Sequence, residues 1–272
     1  MNRDLAKLYA VRFIQRRDVK AIQYATGAYT PDRSGFKMSD LLAHLDGSAS
    51  YGHYLLDAES NCRMFAFDID LRKTGTYLPM PVNYADLSAA EVNAEPIALG
   101  DPNDRNDNSL REAWANRAHP ARPWLKSQMG ALAHKFVNAI QTELELPCAA
   151  AYSGNKGIHV YGFTGPMPAS DVRAAANLVI SSMDDWELER GSHQWKHKIT
   201  DPYLGYGNFS VEVFPKQDNL DGKDLGNLMR LPMGRNLKSS DPTFFMDLTA
   251  PVGVLKPHAD PIKLLNEGNP YA

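Results

Sequence analysis

Cysteine is scarce in this chain, and long apolar runs are missing from it. Cys62 and Cys148 are the two cysteines among 272 residues, too few for a disulfide framework or a cysteine-rich zinc site. Both lie beside apolar segments, so we expect buried free thiols in a reducing compartment. No run reaches the roughly 18 apolar residues of a membrane-spanning helix, and the first residues lack the apolar core of a secretion signal. We therefore expect a cytoplasmic protein without a membrane partner.

An excess of charge of one sign is lacking too. The 29 basic and 32 acidic residues leave a net charge of −3, whereas nucleic-acid-binding domains usually carry a basic excess. The charge is uneven, because residues 68–110 carry a net −5 and the rest of the chain +2. A local basic groove is therefore compatible with the sequence without being predicted by it.

The hydrophobic pattern predicts a mixed α/β chain. Apolar residues at helical spacing predict helices, and alternating apolar residues predict strands. Predicted helices cover 3–17, 40–46 (capped by Ser39), 126–146 and a segment after Pro168 that Ser170 caps. Predicted strands cover 51–57, 65–71, 148–152, 157–163, 208–214 and 228–233, the first two paired as an antiparallel hairpin. The remaining predictions are an extended segment ending in a loop at 18–30, a loop at 184–207 and a Pro-rich, weakly structured tail at 251–272.

The segment 65–71 combines an apolar face with an acidic one. As a strand it places its odd-numbered residues, all large and apolar, on one face, and Ala66, Asp68 and Asp70 on the other. Two carboxylates two residues apart on one face repel each other unless a cation lies between them. This segment therefore predicts a site for a divalent metal ion.

Residues 72–125 follow this strand directly and differ from the rest of the chain. They contain six prolines and the polar run 101–108, and so long a stretch with little periodicity is typical of a functional loop or a partly disordered region. We expect it to flank the candidate site. Five of its residues could either contact nucleic acid or anchor the segment to the core: Trp114, Arg117, His119, Arg122 and Trp124.

A third carboxylate, Glu212, lies on the polar face of the predicted strand 208–214. Together with Asp68 and Asp70 it would complete an oxygen-only site for one or two hard cations. A single acid on a strand is more often simply solvated, and an Asp-x-Asp pair by itself is a weak motif. The metal site therefore needs support from other residues.

The turn at residues 153–159 (Ser-Gly-Asn-Lys-Gly-Ile-His) offers that support. Gly154 and Gly157 allow a tight turn whose backbone N–H groups can face an anion. Ser153, Lys156 and His159 carry donors suited to phosphate oxygens. The spacing is not that of a Walker loop. By itself the segment is more typical of an ordinary hairpin with a glycine turn and a surface lysine, and it is the neighbouring acids that favour an anion site.

Arg230 is a charge in the middle of an apolar run. Burying such a charge alone is costly, so it should either form a structural salt bridge or contact a ligand such as phosphate. Lys216 and Lys238 are weaker candidates of the same kind.

The order of these motifs resembles that of the archaeo-eukaryotic primase superfamily, the primase-polymerases. Residues 67–70 resemble its first motif, 153–159 its second in the form seen in bacterial end-joining ligase polymerase domains, and 211–213 its third. Segments 51–57, 212–217 and 226–234 are most similar to phage and mobile-element members. The resemblance spans about residues 10–240 and suggests a prokaryotic or phage-infected host cell.

The resemblance implies an α/β (α+β) fold in which an RRM-like antiparallel catalytic sheet, backed by helices, is joined to an N-terminal α/β module. The implied domains are a single catalytic domain at 1–250, with an N-terminal module at about 1–62, a catalytic module at about 63–250 and the insertion 72–125, followed by the tail 251–272.

The implied activity is template-dependent nucleotidyl transfer by a DNA primase or DNA polymerase, from NTP or dNTP with release of pyrophosphate. Asp68, Asp70 and Glu212 would hold two Mg²⁺ or Mn²⁺ ions and be the catalytic residues. The residues implied to bind the nucleotide are Ser153, Gly154, Lys156, Gly157, His159, Arg230 and Arg235.

DNA template and primer would be the partners, and a helicase or another replication protein is compatible with the resemblance. No zinc is expected, since His193 and His197 would be a poor substitute for a cysteine-rich site. Two alternatives stay open, a metal-dependent nuclease and a non-catalytic nucleic-acid- or nucleotide-binding module.

Overall fold

The computed structural model describes residues 3–79, 95–199, 205–251 and 254–271. The helices in these ranges are α1 (Arg3–Phe13), α2 (Met38–Leu45), α3 (Ser109–Ala115), α4 (Ala121–Leu144), α5 (Ala169–Ser182) and α6 (Pro261–Glu267). The first strands are β1 (Lys20–Gln23), β2 (Tyr29–Asp32), β3 (Tyr51–Tyr54), β4 (Asn61–Leu71), β5 (Gly75–Tyr77), β6 (Ile97–Leu99) and β7 (Cys148–Tyr152). The others are β8 (Gly157–Pro168), β9 (Trp186–Leu188), β10 (Gln194–His197), β11 (Phe209–Phe214), β12 (Leu228–Arg230) and β13 (Phe244–Phe245).

A seven-stranded antiparallel sheet with β4 at its centre organises the fold. Its strand order is β13-β7-β8-β4-β11-β10-β9. The large apolar residues of β4 are fully buried on the face that packs against α5 and α4, where the rings of Phe67 and Phe136 lie 4.9 Å apart between centroids. Burying a phenylalanine side chain contributes about 2 to 3 kcal/mol. The amphipathic pattern of β4 thus fixes which face is core, and Asp68 and Asp70 lie on the opposite, open face.

A second, four-stranded sheet with order β12-β3-β1-β2 packs beside the first. The predicted hairpin between 51–57 and 65–71 is wrong, because β3 pairs with β1 and β12 and not with β4. The turn between them does form, since the Asp57 carboxylate accepts a hydrogen bond from the Asn61 N–H at 2.7 Å. The chain then crosses from one sheet to the other. A turn signal reports a reversal of the chain but not which strands pair afterwards.

Several predicted boundaries are also wrong. Helix α1 ends at Phe13 and not at 17, and α4 begins at Ala121, so Pro123 lies in its first turn, where proline is tolerated. Ser39 and Ser170 lie inside α2 and α5 and cap neither. At the start of α2 it is the Asp40 carboxylate that accepts the Lys37 N–H, at 2.8 Å.

The segments predicted to be irregular contain regular elements. Residues 18–30 form β1 and the start of β2; 72–125 include the β5–β6 ribbon, α3 and the start of α4; 184–207 include β9 and β10. Strand β8 runs on to Pro168, and β12 ends at Arg230. In the tail, α6 packs on α1 with Leu264 and Leu265 fully buried. Residues 80–94, 200–204, 252–253, 272 and 1–2, which these predictions also covered, lie outside the described ranges.

The predicted state of the cysteines is confirmed. Cys62 and Cys148 are free and fully buried. Burial raises the pKa of the Cys62 thiol to about 11 and that of Cys148 to about 12. Neither thiol is therefore a reactive nucleophile near neutral pH.

Among the helices that the structure describes, none has the length and apolar character required to cross a membrane.

Candidate active site

Polar side chains form a row across the open face of the seven-stranded sheet. His159 in β8 is directly opposite Asp68 in β4, which is opposite Glu212 in β11, which is opposite Gln194 in β10. Direct cross-strand partners point to the same side of a sheet. Asp70 lies in the next row, between Gly157 and Ser210. The structure therefore brings the three predicted carboxylates together on two neighbouring strands.

The environments of Asp68 and Asp70 differ although the two are neighbours. Burial and the negative charge of Asp68 raise the pKa of Asp70, even though the Lys156 ammonium contacts its carboxylate. At Asp68 burial also disfavours the charged form, but His159, with Nε2 at 3.4 Å from Oδ1, and Lys156 outweigh it and lower the pKa. Burial and the neighbouring carboxylate both disfavour the negative charge of Asp70, and a bound cation would offset both effects.

Glu212 is held from two sides. Its carboxylate accepts a hydrogen bond from Lys216 Nζ at 2.7 Å and another from Gln194 Nε2 at 3.1 Å. Each of the three carboxylates thus has a basic side chain as a neighbour. In the described ranges, no three His, Cys, Asp or Glu side chains are grouped closely enough to hold a metal ion as they stand.

The turn between β7 and β8 has all its carbonyl groups bound to the protein. The Ser153 carbonyl accepts from Arg230 and Asn236, and the Gly154 carbonyl accepts from the Ser239 hydroxyl. The Asn155 carbonyl accepts from Trp114 Nε1 at 2.6 Å and from the Tyr152 hydroxyl, and the Lys156 carbonyl from the Leu71 N–H. No carbonyl of this turn is left to repel an anion.

The backbone N–H groups of the same turn, unlike its carbonyl groups, are largely without hydrogen-bond partners among the described residues. Those of Gly154, Asn155 and Lys156 have no hydrogen-bond acceptor among the described residues. Three consecutive N–H groups without a partner, beside a glycine in the left-handed region, form the kind of concave donor surface that binds phosphate. The predicted anion site at this turn therefore has a specific structural basis.

Glycine is required at two positions of this turn. Gly154 has φ of +74°, and a Cβ there would lie 2.6 Å from Thr243 Cγ2. At Gly157 a Cβ would lie 2.2 Å from the Ile69 carbonyl oxygen and 2.4 Å from Asp70 Oδ1. The second glycine thus lets the turn approach the carboxylate pair directly.

Arg230 is buried, as the sequence suggested, and its partners are carbonyl oxygens. Its guanidinium donates to Ser153 O and, at 3.3 Å, to Leu231 O. It forms no salt bridge with any acid that the structure describes. The structural salt bridge considered for it is therefore not present there, and its charge faces the cavity beside the turn uncompensated.

A cavity of about 220 Å³ connects these groups. Its walls include both aspartates of β4 and most of the predicted phosphate-binding residues: Asp68, Asp70, Ser153, Lys156, His159 and Arg230. Glu212 and Arg235 do not line it, and Arg235 is exposed. Lys216 is bound to Glu212, whereas Lys238 lines the cavity and its ammonium contacts no acid among the described residues.

Sequence reasoning missed the residues that hold the site in place. Tyr161 is fully buried and its hydroxyl lies 2.9 Å from His159 Nδ1, which orients Nε2 toward Asp68. Tyr29 and Gln23, from the four-stranded sheet, also line the cavity. The sequence shows that Tyr161 follows His159 by two residues and so shares its face of β8. It does not show that the tyrosine hydroxyl contacts the histidine ring. The contribution of the second sheet has no local signal.

For the aromatic and basic residues near the end of the 72–125 segment, the structure shows anchoring contacts. The Trp114 indole binds the turn at Asn155, and the Arg122 guanidinium lies 4.2 Å from the centre of the Trp114 ring. Arg117 contacts Asp241, and the His119 ring lies 5.9 Å from that of Tyr77. Through Trp114 and Arg122 these contacts tie α3 and the start of α4 to the turn of residues 153–159.

Comparison with known families agrees with this arrangement. A family model described as the archaeo-eukaryotic primase domain of the TOTE conflict system matches residues 5–269. The chain belongs to this primase family. The match extends past both ends of the 10–240 region of the sequence resemblance, so it covers α6 and most of α1 as well as the 72–125 segment within that region. The mixed α/β fold with antiparallel sheets is the one expected, and the family is primase-like and nucleotidyltransferase-like. No curated protein matches the chain.

Proposed function

We propose that this primase domain is a template-dependent nucleotidyltransferase that adds nucleotides from NTP or dNTP to a 3′-hydroxyl and releases pyrophosphate. One observation carries the proposal: a pair of neighbouring carboxylates shares a cavity with Asn155 and Lys156, whose backbone N–H groups are unpartnered, and with the side chains of Arg230 and Lys238, which form no ion pair in the described ranges. A triphosphate needs the donors and the cations, and the reacting centre needs the carboxylates.

The anion-binding turn would hold the triphosphate. The unpartnered N–H groups of residues 154–156 would donate to phosphate oxygens, Ser153 and His159 would add side-chain donors, and Arg230 and Lys238 would supply positive charge where the pyrophosphate leaves. Arg230 is already fixed by two carbonyl groups, so little reorganisation is needed when charge develops. Arg235, exposed and outside the cavity, is left out of this proposal.

The residues present fit a divalent ion. Asp68 and Asp70 offer carboxylate oxygens, the donors that Mg²⁺ and Mn²⁺ prefer, and burial together with the charge of Asp68 raises the pKa of Asp70. Glu212, opposite Asp68, would join them as a third ligand only by leaving Lys216 and Gln194. Two such ions, when bound, would lower the pKa of the attacking hydroxyl and stabilise the leaving oxygen. In the transfer, the 3′-oxygen bonds to the α-phosphorus, the bond to the bridging oxygen breaks, and the hydroxyl proton passes to solvent.

The description of the matched family names a conflict system, so we place this reaction within such a system.

The test is a template assay with labelled NTP or dNTP and Mg²⁺ or Mn²⁺, without and with a primer, that follows both product length and pyrophosphate. Wild-type protein should extend primers or make new chains. The variant Asp68→Asn with Asp70→Asn should lose at least about a thousandfold in rate, since it loses the carboxylates that would hold the metal. The matched control, Glu59→Gln with Glu143→Gln, removes two exposed charges elsewhere and should keep full activity.

Three results would contradict the proposal. Extension by the Asp68/Asp70 variant would show that the site is wrong. Shortening of labelled DNA without added triphosphate would indicate a nuclease. Nucleotide binding with no pyrophosphate from the wild type would indicate a binding module.

A further inference from the structure

A second cavity of about 460 Å³ opens beside the carboxylates. Four basic residues line it: Arg72 and Lys73 from the segment after β4, Arg105, and Arg111 of α3. Among the described acids, Asp104 also lines the cavity, and the carboxylate of Glu189 lies 2.8 Å from the Arg72 guanidinium. The cavity therefore has a surplus of positive charge in the region of the sequence whose net charge is negative.

Two of these cations are free to meet a ligand. Lys73 is exposed, and its ammonium donates to the Arg105 carbonyl at 2.6 Å without contacting an acid. Arg105 is also exposed, and its guanidinium has no partner among the residues in the described ranges. Arg111 is fixed through its Nε, which donates to the Leu71 carbonyl at 3.0 Å.

The cavity continues into a third one of about 500 Å³, with which it shares Arg72, Thr74 and Pro102. The walls of that neighbour include the β5–β6 ribbon residues Thr76 and Ala98. Because they share these walls, we treat the two cavities as one groove, which we call the basic groove; four basic residues line its first part, and apart from Arg72 the walls of its second part are uncharged. Such a profile suits a polymer with charged links and apolar rings.

The basic groove begins at the catalytic carboxylates. Ser210, on its wall, is the direct cross-strand partner of Asp70, and Gln194, also on its wall, is the partner of Glu212 and donates to it at 3.1 Å. The triphosphate cavity adjoins the same carboxylates from the β8 side, whereas the groove adjoins them from the β10 side. The carboxylates thus lie between two cavities that are lined by basic side chains.

We propose that the basic groove binds the sugar–phosphate backbone of the strand that supplies the attacking 3′-hydroxyl. The inference rests on the proposed function. In phosphoryl transfer the attacking and leaving oxygens are roughly in line on opposite sides of the phosphorus. Since the leaving pyrophosphate lies at the turn of residues 153–159, the attacking strand enters from the other side of the carboxylates. That side is the basic groove.

The test is binding of labelled single-stranded DNA and RNA oligonucleotides by fluorescence anisotropy over a salt series, without nucleotide or metal. The groove variant is Lys73→Gln with Arg105→Gln, two exposed side chains. The matched control is Arg3→Gln with Lys263→Gln, which removes the same charge from α1 and α6, whose residues line neither cavity. Both oligonucleotides are used because the phosphate backbone is common to them.

The expected result is a loss of about tenfold or more in the affinity for whichever strand the wild type binds, and a salt slope smaller by roughly 1 to 2 for the two lost phosphate contacts. In primer extension, the groove variant should raise KM for the primer and leave KM for the nucleotide unchanged. The control variant should match the wild type in both assays.

Superimposable binding curves and salt slopes for the groove variant and the wild type would overturn this proposal, as would a wild type that binds neither strand. Its failure is distinguishable from that of the proposed function. If the wild type extends primers and the groove variant behaves identically, only the proposal for the groove is refuted. If the wild type binds strands through the groove but transfers no nucleotide, the proposed polymerase activity is refuted and strand binding by the groove is supported.

Discussion

At the scale of single residues, the site depends on side chains that never enter the cavity. Trp114 is almost fully buried, and its indole N–H binds the Asn155 carbonyl at 2.6 Å. That bond turns a carbonyl of the turn away from the place where phosphate would lie, so an apparently structural tryptophan helps the turn present its N–H groups.

Replacing Trp114 with phenylalanine tests this role. The ring stays buried but the Asn155 carbonyl loses its nearest donor, so we expect about 1 kcal/mol less stability and a weaker affinity for triphosphate. Chemical denaturation and nucleotide titration measure the two effects.

Trp124 offers the matched control for this experiment. Its indole nitrogen is buried and has no hydrogen-bond partner in the described part of the chain, so Trp124→Phe loses only ring volume and should cost less stability than Trp114→Phe, with no change in the affinity for triphosphate. Equal effects of the two substitutions would mean that ring size, and not the bond to Asn155, explains the loss.

How much of the site could be predicted is also clear at this scale. Asp68, Asp70 and the turn of residues 153–159 were found because alternation and glycine spacing are local signals, and the structure places them together. Their roles remain predictions. The sequence places Arg235 close to Arg230 and so suggests that it also binds the nucleotide. In the structure it is exposed and does not line the cavity, whereas Lys238 does.

At the scale of elements, the turn between β7 and β8 is the most constrained segment of the site. Gly154 has φ of +74°. It also has no room for a side chain, because Thr243 and Asn236, from the loop of residues 236–243 after β12, pack against it. Gly165, in β8, has nearly the same φ of +77° but open space around it. Comparing substitutions at Gly154 and Gly165 therefore separates the cost of the backbone conformation, which both share, from the cost of a steric clash, which only Gly154 would have.

We expect Gly165→Ala to cost about 1 kcal/mol, the usual price of a left-handed conformation in a residue with a side chain. Gly154→Ala should cost about 2 to 3 kcal/mol and also lower the affinity for triphosphate, since the clash moves the turn. Urea denaturation and nucleotide titration give the comparison. If the two variants behaved alike, the packing of the 236–243 loop would have no influence on the turn.

Elements were predicted well where their own residues determine them. The alternation in 65–71, 148–152 and 208–214 predicts strands that the structure contains, and the apolar stripe of 126–146 predicts most of α4. Strands β9 and β10 were missed because residues 184–207 are largely polar, and it is pairing with β11 that makes β10 a strand. The predicted pairing of β3 with β4 is wrong for the same reason, since strand pairing depends on residues far away in the chain.

At the scale of the whole molecule, stability should depend on two buried histidines. Burial lowers the pKa of His44 to about 4 and that of His53 to about 3. In the unfolded chain both would bind a proton near pH 6.5. Between that value and the folded pKa the unfolded state therefore binds more protons, and stability falls as pH falls.

From pH 7 to pH 5 each histidine should remove about 2 kcal/mol of unfolding free energy. His53→Leu should reduce this loss by about that amount, while His193→Leu, at an exposed position, should leave it unchanged. Urea denaturation at the two pH values measures it. A pH dependence that His53→Leu does not alter would show that other groups control acid unfolding.

The strand β12 links the beginning and the end of the described fold. Residues 20–54 provide three strands of the smaller sheet, and the fourth arrives only with residues 228–230, which also bring Arg230 to the turn. A chain still emerging from the ribosome must therefore hold an incomplete sheet, with the edge of β3 unpaired, until most of the protein has been made. Closure of that sheet and delivery of Arg230 to the turn are one event, so a protein cut short before residue 228 has neither a finished smaller sheet nor this arginine beside the turn.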